Sequence, residues 1–417
     1  MRYAFLNKCT FHIMKLLCFL FINILLGYST PFAKGENLSQ DKKGNRLKER
    51  LPSSRFHSYN GHQFLRSASL GKDTLNVVFL GGSITYNPGW RGDLEEYFTS
   101  QFPEKVICYH NKGIPSLGSV AHVFRYASDV LSQVKPDILF YESVVNDRAN
   151  AYPEKDQARA VESIIRTSIA VNPDMDIIMM YFADPDKLAD YKKGKVPDEI
   201  CLQNKIADYY GIPVVDISRE VYERIQAAEF SWEKDIKDLH PSPFGQKIYS
   251  SSMKVMLDSL LLGEKHVTVR KLPLPLDERC FRHARYESVK NGKGTFKYYS
   301  RYIPDNGQPT RTGFTDVPML VGEKPGEEFV YEFEGTTIGI CYISGNDAGI
   351  IRYRIDGDEY QVMDLYTKYS DKLHVPKYVI LKDDLDEGKH KIEVVIMKEK
   401  NEKSKGNACR IVHFLVN

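Results

Sequence analysis

Cysteine is scarce in this chain of 417 residues, and what there is does not pair off. Of the seven, Cys9 and Cys18 lie in an N-terminal apolar stretch, while Cys108, Cys201, Cys280, Cys341 and Cys409 are odd in number and widely spaced. That spacing excludes a disulfide framework and a thiolate metal site. Cys341 and Cys409 both fall in strand-like runs and are the one pair a bridge would join, but free buried thiols are the expectation. The histidines form no zinc-like cluster. Charge of one sign is also missing: a formal net charge of +2 argues against a nucleic-acid binder that works by neutralising phosphates. The glycine pair in Gly81-Gly-Ser-Ile-Thr85 lacks the Lys-Ser/Thr and the spacing of a phosphate-cradling loop. Neither a cofactor nor a metal is expected. Long apolar runs are absent as well, since Leu16 to Leu26 is too short to serve as a stable membrane anchor.

That short run has another meaning. Lys15 precedes it, and Gly27, Ser29, Thr30 and Ala33 follow it, which is the order of charge, apolar core and small-residue cleavage zone in a secretory signal peptide. Residues 1–33 are therefore expected to be removed, with Met14 an alternative start. No cysteine stands in the cleavage zone, so a lipid-anchored product is not expected. The mature protein should be secreted or periplasmic. Residues 34–74 are polar and charged and read as a lead-in.

What the chain does have is a change of rhythm. From residue 75 to 263, short apolar runs alternate with helical stretches. The strand-like runs are Val77–Leu80, Val106–Tyr109, Ile138–Tyr141, Ile177–Phe182 and Val214–Ile217. The helical ones are Gly92–Ser100, Ser119–Gln133, Gln157–Val171, Asp198–Tyr210 and Gly245–Leu262. Such alternation predicts a flavodoxin-like three-layer α/β/α fold around a parallel sheet. From 264 to 417 the helical period vanishes. Runs such as Phe329–Phe333, Ile350–Ile355 and His390–Ile396, parted by Glu334-Gly335, Asp356-Gly357 and Glu387-Gly388, predict an all-β sandwich of jelly-roll type. The fold class is thus α/β followed by all-β.

Four segments of the α/β part carry candidate chemistry, each at the end of a predicted strand, where open α/β sheets bind ligands. Ser83 follows Gly81-Gly82, whose lack of side chains leaves its hydroxyl reachable. Its ordinary alternative is a helix cap. Gly113, in Asn111-Lys-Gly, can turn a backbone N–H toward the site or be a plain turn glycine. Asn146, in Val145-Asn-Asp147, can donate its amide to an oxyanion or cap a helix. His240, in Asp238-Leu-His-Pro-Ser, sits in a loop stiffened by Pro241 and Pro243, just before the last helix. A lone loop histidine is more often a surface residue than a base; its position at the same sheet edge as Ser83 favours the base.

Together these blocks resemble the SGNH (GDSL-like) hydrolase family, over roughly residues 75 to 262. The resemblance implies Ser83 as nucleophile, Gly113 and Asn146 as oxyanion donors and His240 as general base. It also implies an acid three residues before the histidine, but that position is Lys237. Asp238 is then the expected acid, with Asp235 or a Ser-His dyad as alternatives. Near the inferred cleft, Trp90 and Tyr86 are candidates to stack on a sugar, Trp90 alternatively packing the first helix. Arg148 is a candidate for an acidic sugar, or a partner of Asp147. The charged loop Asp184 to Pro197 is a candidate cleft wall.

The expectation is an exported serine esterase acting on acyl, foremost acetyl, esters of carbohydrates. The resemblance to family members with an added β-sandwich implies a carbohydrate-binding-like C-terminal domain, though the sandwich alternatively just covers the catalytic domain. The rivals are a lipase or thioesterase using the same residues and a non-catalytic glycan-binding protein. No strongly apolar loop accompanies the blocks, which disfavours a lipase.

Overall fold

The computed structural model describes residues 57–58, 65–69, 71–262 and 271–417; the expected signal peptide and most of the lead-in lie outside them. The first part is a three-layer α/β/α unit. Its sheet contains β1 (His57–Ser58), β2 (Thr74–Gly81), β3 (Val106–Gly113), β4 (Ile138–Tyr141), β5 (Asp176–Met180) and β6 (Val214–Val215) in the order β1-β6-β5-β4-β2-β3. All pairings are parallel except that of the short β1. Counting the parallel strands alone, the order is 2-1-3-4-5, the flavodoxin-like arrangement. Its order reverses between β2 and β4, and the crevice there lies at the C-terminal ends of these two strands. Every residue of β4 and β5 is buried, as strands covered by helices on both faces must be.

The helices close to those expected are Trp90–Gln101, Glu154–Val171, Asp198–Tyr210 and Pro243–Leu262. The stretch from Ser119 is α-helical only to Arg125 and continues as a π-helix over Tyr126–Leu131. The helices that were not legible include Val144–Ala149, Pro185–Lys192 and Ile217–Gln226. The second of these occupies most of the segment Asp184 to Pro197, read as a charged loop walling the cleft. Lys187 is fully buried there, ion-paired to Asp184 and to Glu199, which helps fasten the segment to the helix Asp198–Tyr210.

The second part is a sandwich of two antiparallel sheets. One holds β15 (Val375–Lys382), β12 (Ile338–Ser344), β17 (Cys409–Val416), β10 (Val317–Gly322) and β9 (Lys297–Tyr302) in that order, with β7 (Arg285–Glu287) also on β17. The other runs β14 (Gln361–Asp364), β13 (Ile350–Ile355), β16 (Lys389–Ile396), β11 (Glu328–Glu334), β8 (Lys293–Gly294). The middle of the first sheet, β12 and β17, is covered on both faces. Ile338, Ile340, Tyr342, Ile411 and Phe414 fill the sandwich core. Cys341, Ile343, Tyr378, Val412 and Leu415 point the other way and join the core of the α/β part. Strand β12 accordingly has no exposed residue. Lys155 and Arg159 of the helix Glu154–Val171 bind Asp383 of the sandwich at 2.9 and 2.6 Å along the rim of this contact. Because Cys341 and Cys409 face opposite sides of one sheet, they do not pair. All five cysteines from Cys108 onward are free, and Cys201 is exposed rather than buried.

Candidate active site

The site is built where β2 and β4 diverge. Strand β2 ends at Gly81, and a short helix, Ser83–Tyr86, begins at once. A side chain on Gly82 would put its Cβ 1.9 Å from Asn146 Nδ2, so glycine is required for the two segments to meet. Asn146 belongs to the helix Val144–Ala149, which follows β4. Its carboxamide lies against Gly82, is buried, and donates to no protein acceptor among the described residues. The next residue, Asp147, serves a different purpose. Its Oδ1 accepts from Ser119 N at 2.6 Å and Ser119 Oγ at 2.8 Å, fixing the start of the helix Ser119–Arg125. Burial pushes this carboxyl up to about 7.

On the other side of the crevice, Ser83 Oγ lies 2.8 Å from His240 Nε2. This is the reach needed for a hydroxyl to pass its proton to a base. Both groups are open to solvent, Ser83 partly and His240 more so. The histidine loop is held by Ser242 N, which donates to Ile236 O at 2.9 Å, and by Gln246, a residue not singled out from sequence. Gln246 Nε2 donates to Pro241 O at 3.3 Å, while its Oε1 accepts from Trp90 N at 3.0 Å. One side chain thus ties the base loop to the segment following the nucleophile. Gly89, with φ of 135°, leaves room for it. The only sequence signal was its place six residues past His240, in the first turn of the last helix.

Several expected site residues stand elsewhere. Trp90 is a core residue: it is fully buried, donates from Nε1 to Ile84 O at 3.2 Å and meets Phe79 and Phe182 edge-on. Arg148 is bonded through Nη2 to Asp190 at 2.7 Å and to Glu199 at 2.8 Å, so its charge is engaged by two protein carboxylates, neither of them Asp147. Gly113 donates its N–H to Asn111 Oδ1 at 2.9 Å rather than offering it to the crevice. Glycine is needed there because a Cβ would come within 2.5 Å of Tyr86 N. Asp238 turns its carboxylate onto the N–H of its neighbour Leu239 at 2.5 Å, and Asp235 accepts from Ser231 N at 2.7 Å. Neither reaches His240, and Nδ1 of the imidazole has no protein partner among the described residues. Between the two aspartates, Lys237 has φ of 77° and ψ of −48°, in the strained γ-turn region that a side chain rarely adopts. Tyr86 remains exposed beside the crevice.

One further segment enters the crevice. Ile114, Pro115, Ser116 and Leu117 form a tight turn closed by Leu117 N donating to Ile114 O at 3.3 Å. Ser116 has φ of 74°. Proline at the second position and a left-handed third residue are the marks of a type II turn, in which glycine usually takes the third place. The turn rests on the nucleophile segment: Ile114 N donates to Gly81 O at 3.0 Å, and Leu117 O lies 3.4 Å from where a Cβ on Gly82 would be. The N–H of Ser116 has no protein acceptor among the described residues. A left-handed serine cannot be read from sequence.

Residues 79–248 match the model of the GDSL-like Lipase/Acylhydrolase family. The α/β part is a GDSL-like acylhydrolase domain. Such a domain makes the chain a carboxylic ester hydrolase. No curated protein matches the chain in sequence. Among solved structures, a two-domain esterase (CEX) active on acetylated mannans is similar at 19% identity with a TM-score of 0.71, covering 88% of this chain and 98% of that one. An esterase of the same description co-crystallized with mannopentaose is similar at 20% identity and 0.67, covering 85% and 95%. At such identities the likeness is one of fold, and it extends across the acylhydrolase domain and the sandwich together.

Proposed function

We propose that the protein is an exported serine esterase that removes short acyl groups, acetyl foremost, from carbohydrates. The observation that carries this reading is the contact of 2.8 Å between Ser83 Oγ and His240 Nε2, beside an Asn146 amide left without a protein acceptor. His240 takes the Ser83 proton as Oγ attacks the ester carbonyl. The oxyanion accepts hydrogen bonds from the Ser83 N–H, Asn146 Nδ2 and the Ser116 N–H, the last in place of Gly113. His240 then returns the proton to the departing sugar hydroxyl, and water, activated by the same imidazole, releases the acid from the acyl-serine. No carboxylate braces the imidazole in this arrangement, so the pair works as a dyad. The glycan substrate is favoured by the two-domain likeness to an esterase active on acetylated mannans. Among the described residues no helix is long and apolar enough to cross a membrane; export rests on the signal-like N-terminus.

The test is turnover of an aryl acetate by the mature protein beside Ser83→Ala, followed by an acyl-chain series and a panel of acetylated oligosaccharides. Expected are loss of at least 10³-fold in Ser83→Ala, a preference for acetyl over long chains, and acetate release from the glycans. Equal rates for wild type and Ser83→Ala overturn the esterase reading; a preference for long chains replaces the glycan substrate with a lipid.

A further inference from the structure

One side chain of the sandwich is linked to the catalytic crevice. Lys377, on β15, donates from Nζ to Asn150 Oδ1 at 2.8 Å. Asn150 in turn donates from Nδ2 to the carbonyl of Ser116 at 3.0 Å. The asparagine therefore stands between the two domains with both ends of its carboxamide engaged. It also ends the helix that carries Asn146, its own N–H donating to Asn146 O at 2.9 Å. The carbonyl it grips belongs to the one residue of the Ile114–Leu117 turn held at positive φ. An L-residue gains nothing locally from that conformation, and it persists only where surrounding contacts impose it. If the turn relaxed from type II toward type I, its central peptide would flip and the Ser116 N–H would leave its present direction.

Lys377 itself is an unusual neighbour for an amide. It meets no carboxylate among the described residues, and burial pushes its ammonium down to about 8, with Lys368 adding to the effect. A partly buried cation without a counter-ion is costly to the fold. Other lysines at this domain contact, such as Lys155, have their carboxylate. An arrangement that forgoes one and spends its hydrogen bond on the oxygen of a single carboxamide points to a role in geometry rather than in adhesion.

We propose that Lys377 is a positioning residue for the esterase reaction, by which the β-sandwich fixes the Ile114–Leu117 turn through Asn150. This rests on the esterase reading given above. The sandwich thereby completes the crevice of the other domain: with Lys377 in place, Asn150 is oriented, Ser116 O is held, and the Ser116 N–H stays aimed where the oxyanion develops.

The test compares wild type, Lys377→Met and Asn150→Ala, each also in a Ser116→Gly background, by kcat and KM on an aryl acetate and by hydrogen exchange of the peptide spanning 112–118. Glycine takes the left-handed conformation freely, so the clamp should matter less in that background. Expected for Lys377→Met is a fall in kcat of roughly tenfold, short of the 10²–10³ that follows outright loss of an oxyanion donor, with KM within about twofold. Exchange of the turn amides should quicken, and the kcat loss should shrink to about twofold beside Ser116→Gly. An unchanged kcat, or an equal loss in both backgrounds, overturns the proposal. Should wild type show no esterase activity, the catalytic reading falls separately, and exchange alone decides the clamp: unchanged exchange overturns it, faster exchange upholds it. If Lys377→Met does not fold, Asn150→Ala, which leaves the sandwich untouched, takes its place with the same outcomes.

Discussion

The two domains treat their histidines and carboxylates in opposite ways. In the sandwich, His374 is buried with Nε2 3.1 Å from Asn306 Nδ2 and Nδ1 3.1 Å from Thr310 Oγ1, so both nitrogens are spent. In the acylhydrolase domain, His240 stands in the open with one nitrogen on Ser83 and the other without a protein partner among the described residues. The carboxylates follow suit. Burial pushes Glu142 and Asp147 up to about 7, and Asp156 and Asp216 up to about 6. In the sandwich Asp347 is held below its usual range: burial opposes this, but the paired bonds to Arg410, at 2.8 and 2.7 Å, outweigh it. His374 and Asp347 are closed onto protein partners. The Asn146 amide has no acceptor among the described residues, as a group that is to meet a substrate must have none.

The histidines give the widest contrast. His240→Ala is expected to lower kcat/KM on an aryl acetate by 10³-fold or more. His374→Ala should leave that rate within about threefold while costing roughly 2 kcal/mol of stability, because Asn306 and Thr310 lose their shared partner. Parallel activity and urea-unfolding measurements check both; comparable rate losses in the two variants would erase the distinction.

The carboxylates come next. Glu142 lies beneath the nucleophile, with Oε1 accepting from Val145 N at 3.1 Å and the Gly82 N–H also directed to it. A folded pKa above the unfolded one means the folded state holds the proton more tightly. Its contribution is then complete below the unfolded value near 4.5 and is lost as pH climbs through about 7. Glu142→Gln, which keeps an acceptor without the charge, should therefore match wild type in Tm at pH 4. At pH 8 it should exceed wild type by up to roughly 3 kcal/mol, several degrees in Tm. For Asp347 the sign reverses, with stability lost only as pH falls below the usual carboxylate range. Calorimetry across pH 4 to 8 reads this, and an equal offset at both ends would show that burial of Glu142 is not the cause.

The smallest effect concerns Asp238. Its carboxylate rests on Leu239 N and is exposed, so Asp238→Ala is expected to lower kcat by less than about threefold. A loss of a hundredfold would mean that this side chain swings onto His240 Nδ1 when substrate binds.

Much of the frame was legible because buried parallel strands are written as unbroken apolar runs. Ile138–Tyr141 needs no context, and the places of Ser83 after β2 and Asn146 after β4 follow from such runs, whereas His240 lies past the helix Ile217–Gln226 that succeeds β6. What was not legible depends on distant partners or on backbone angles. Arg148 looked available because its acids, Asp190 and Glu199, lie 42 and 51 residues further on. Trp90 looked like a sugar platform because an aromatic residue past a nucleophile serves a core or a cleft equally well. Gly113 looked like a donor because a glycine's missing side chain does not reveal whether space is needed for a ligand or, as here, for the backbone of Tyr86. Ser116 carried no sign at all. One signal was present and unused: Ile338–Ser344 is apolar nearly throughout rather than alternating, which marks a strand covered on both sides even in an antiparallel sheet.

That doubly covered sheet bears on how the molecule comes apart. Stripping the sandwich away would bare the α/β side of Ile343, Tyr378, Val412 and Leu415 and, opposite them, the helix Ser119–Arg125, none of whose residues is exposed in the intact chain. Neither half is a detachable module to be shuffled, truncated or expressed alone without an oily scar. The two halves are therefore expected to melt as one unit, and a chain cut at residue 263 to bare this face on both pieces.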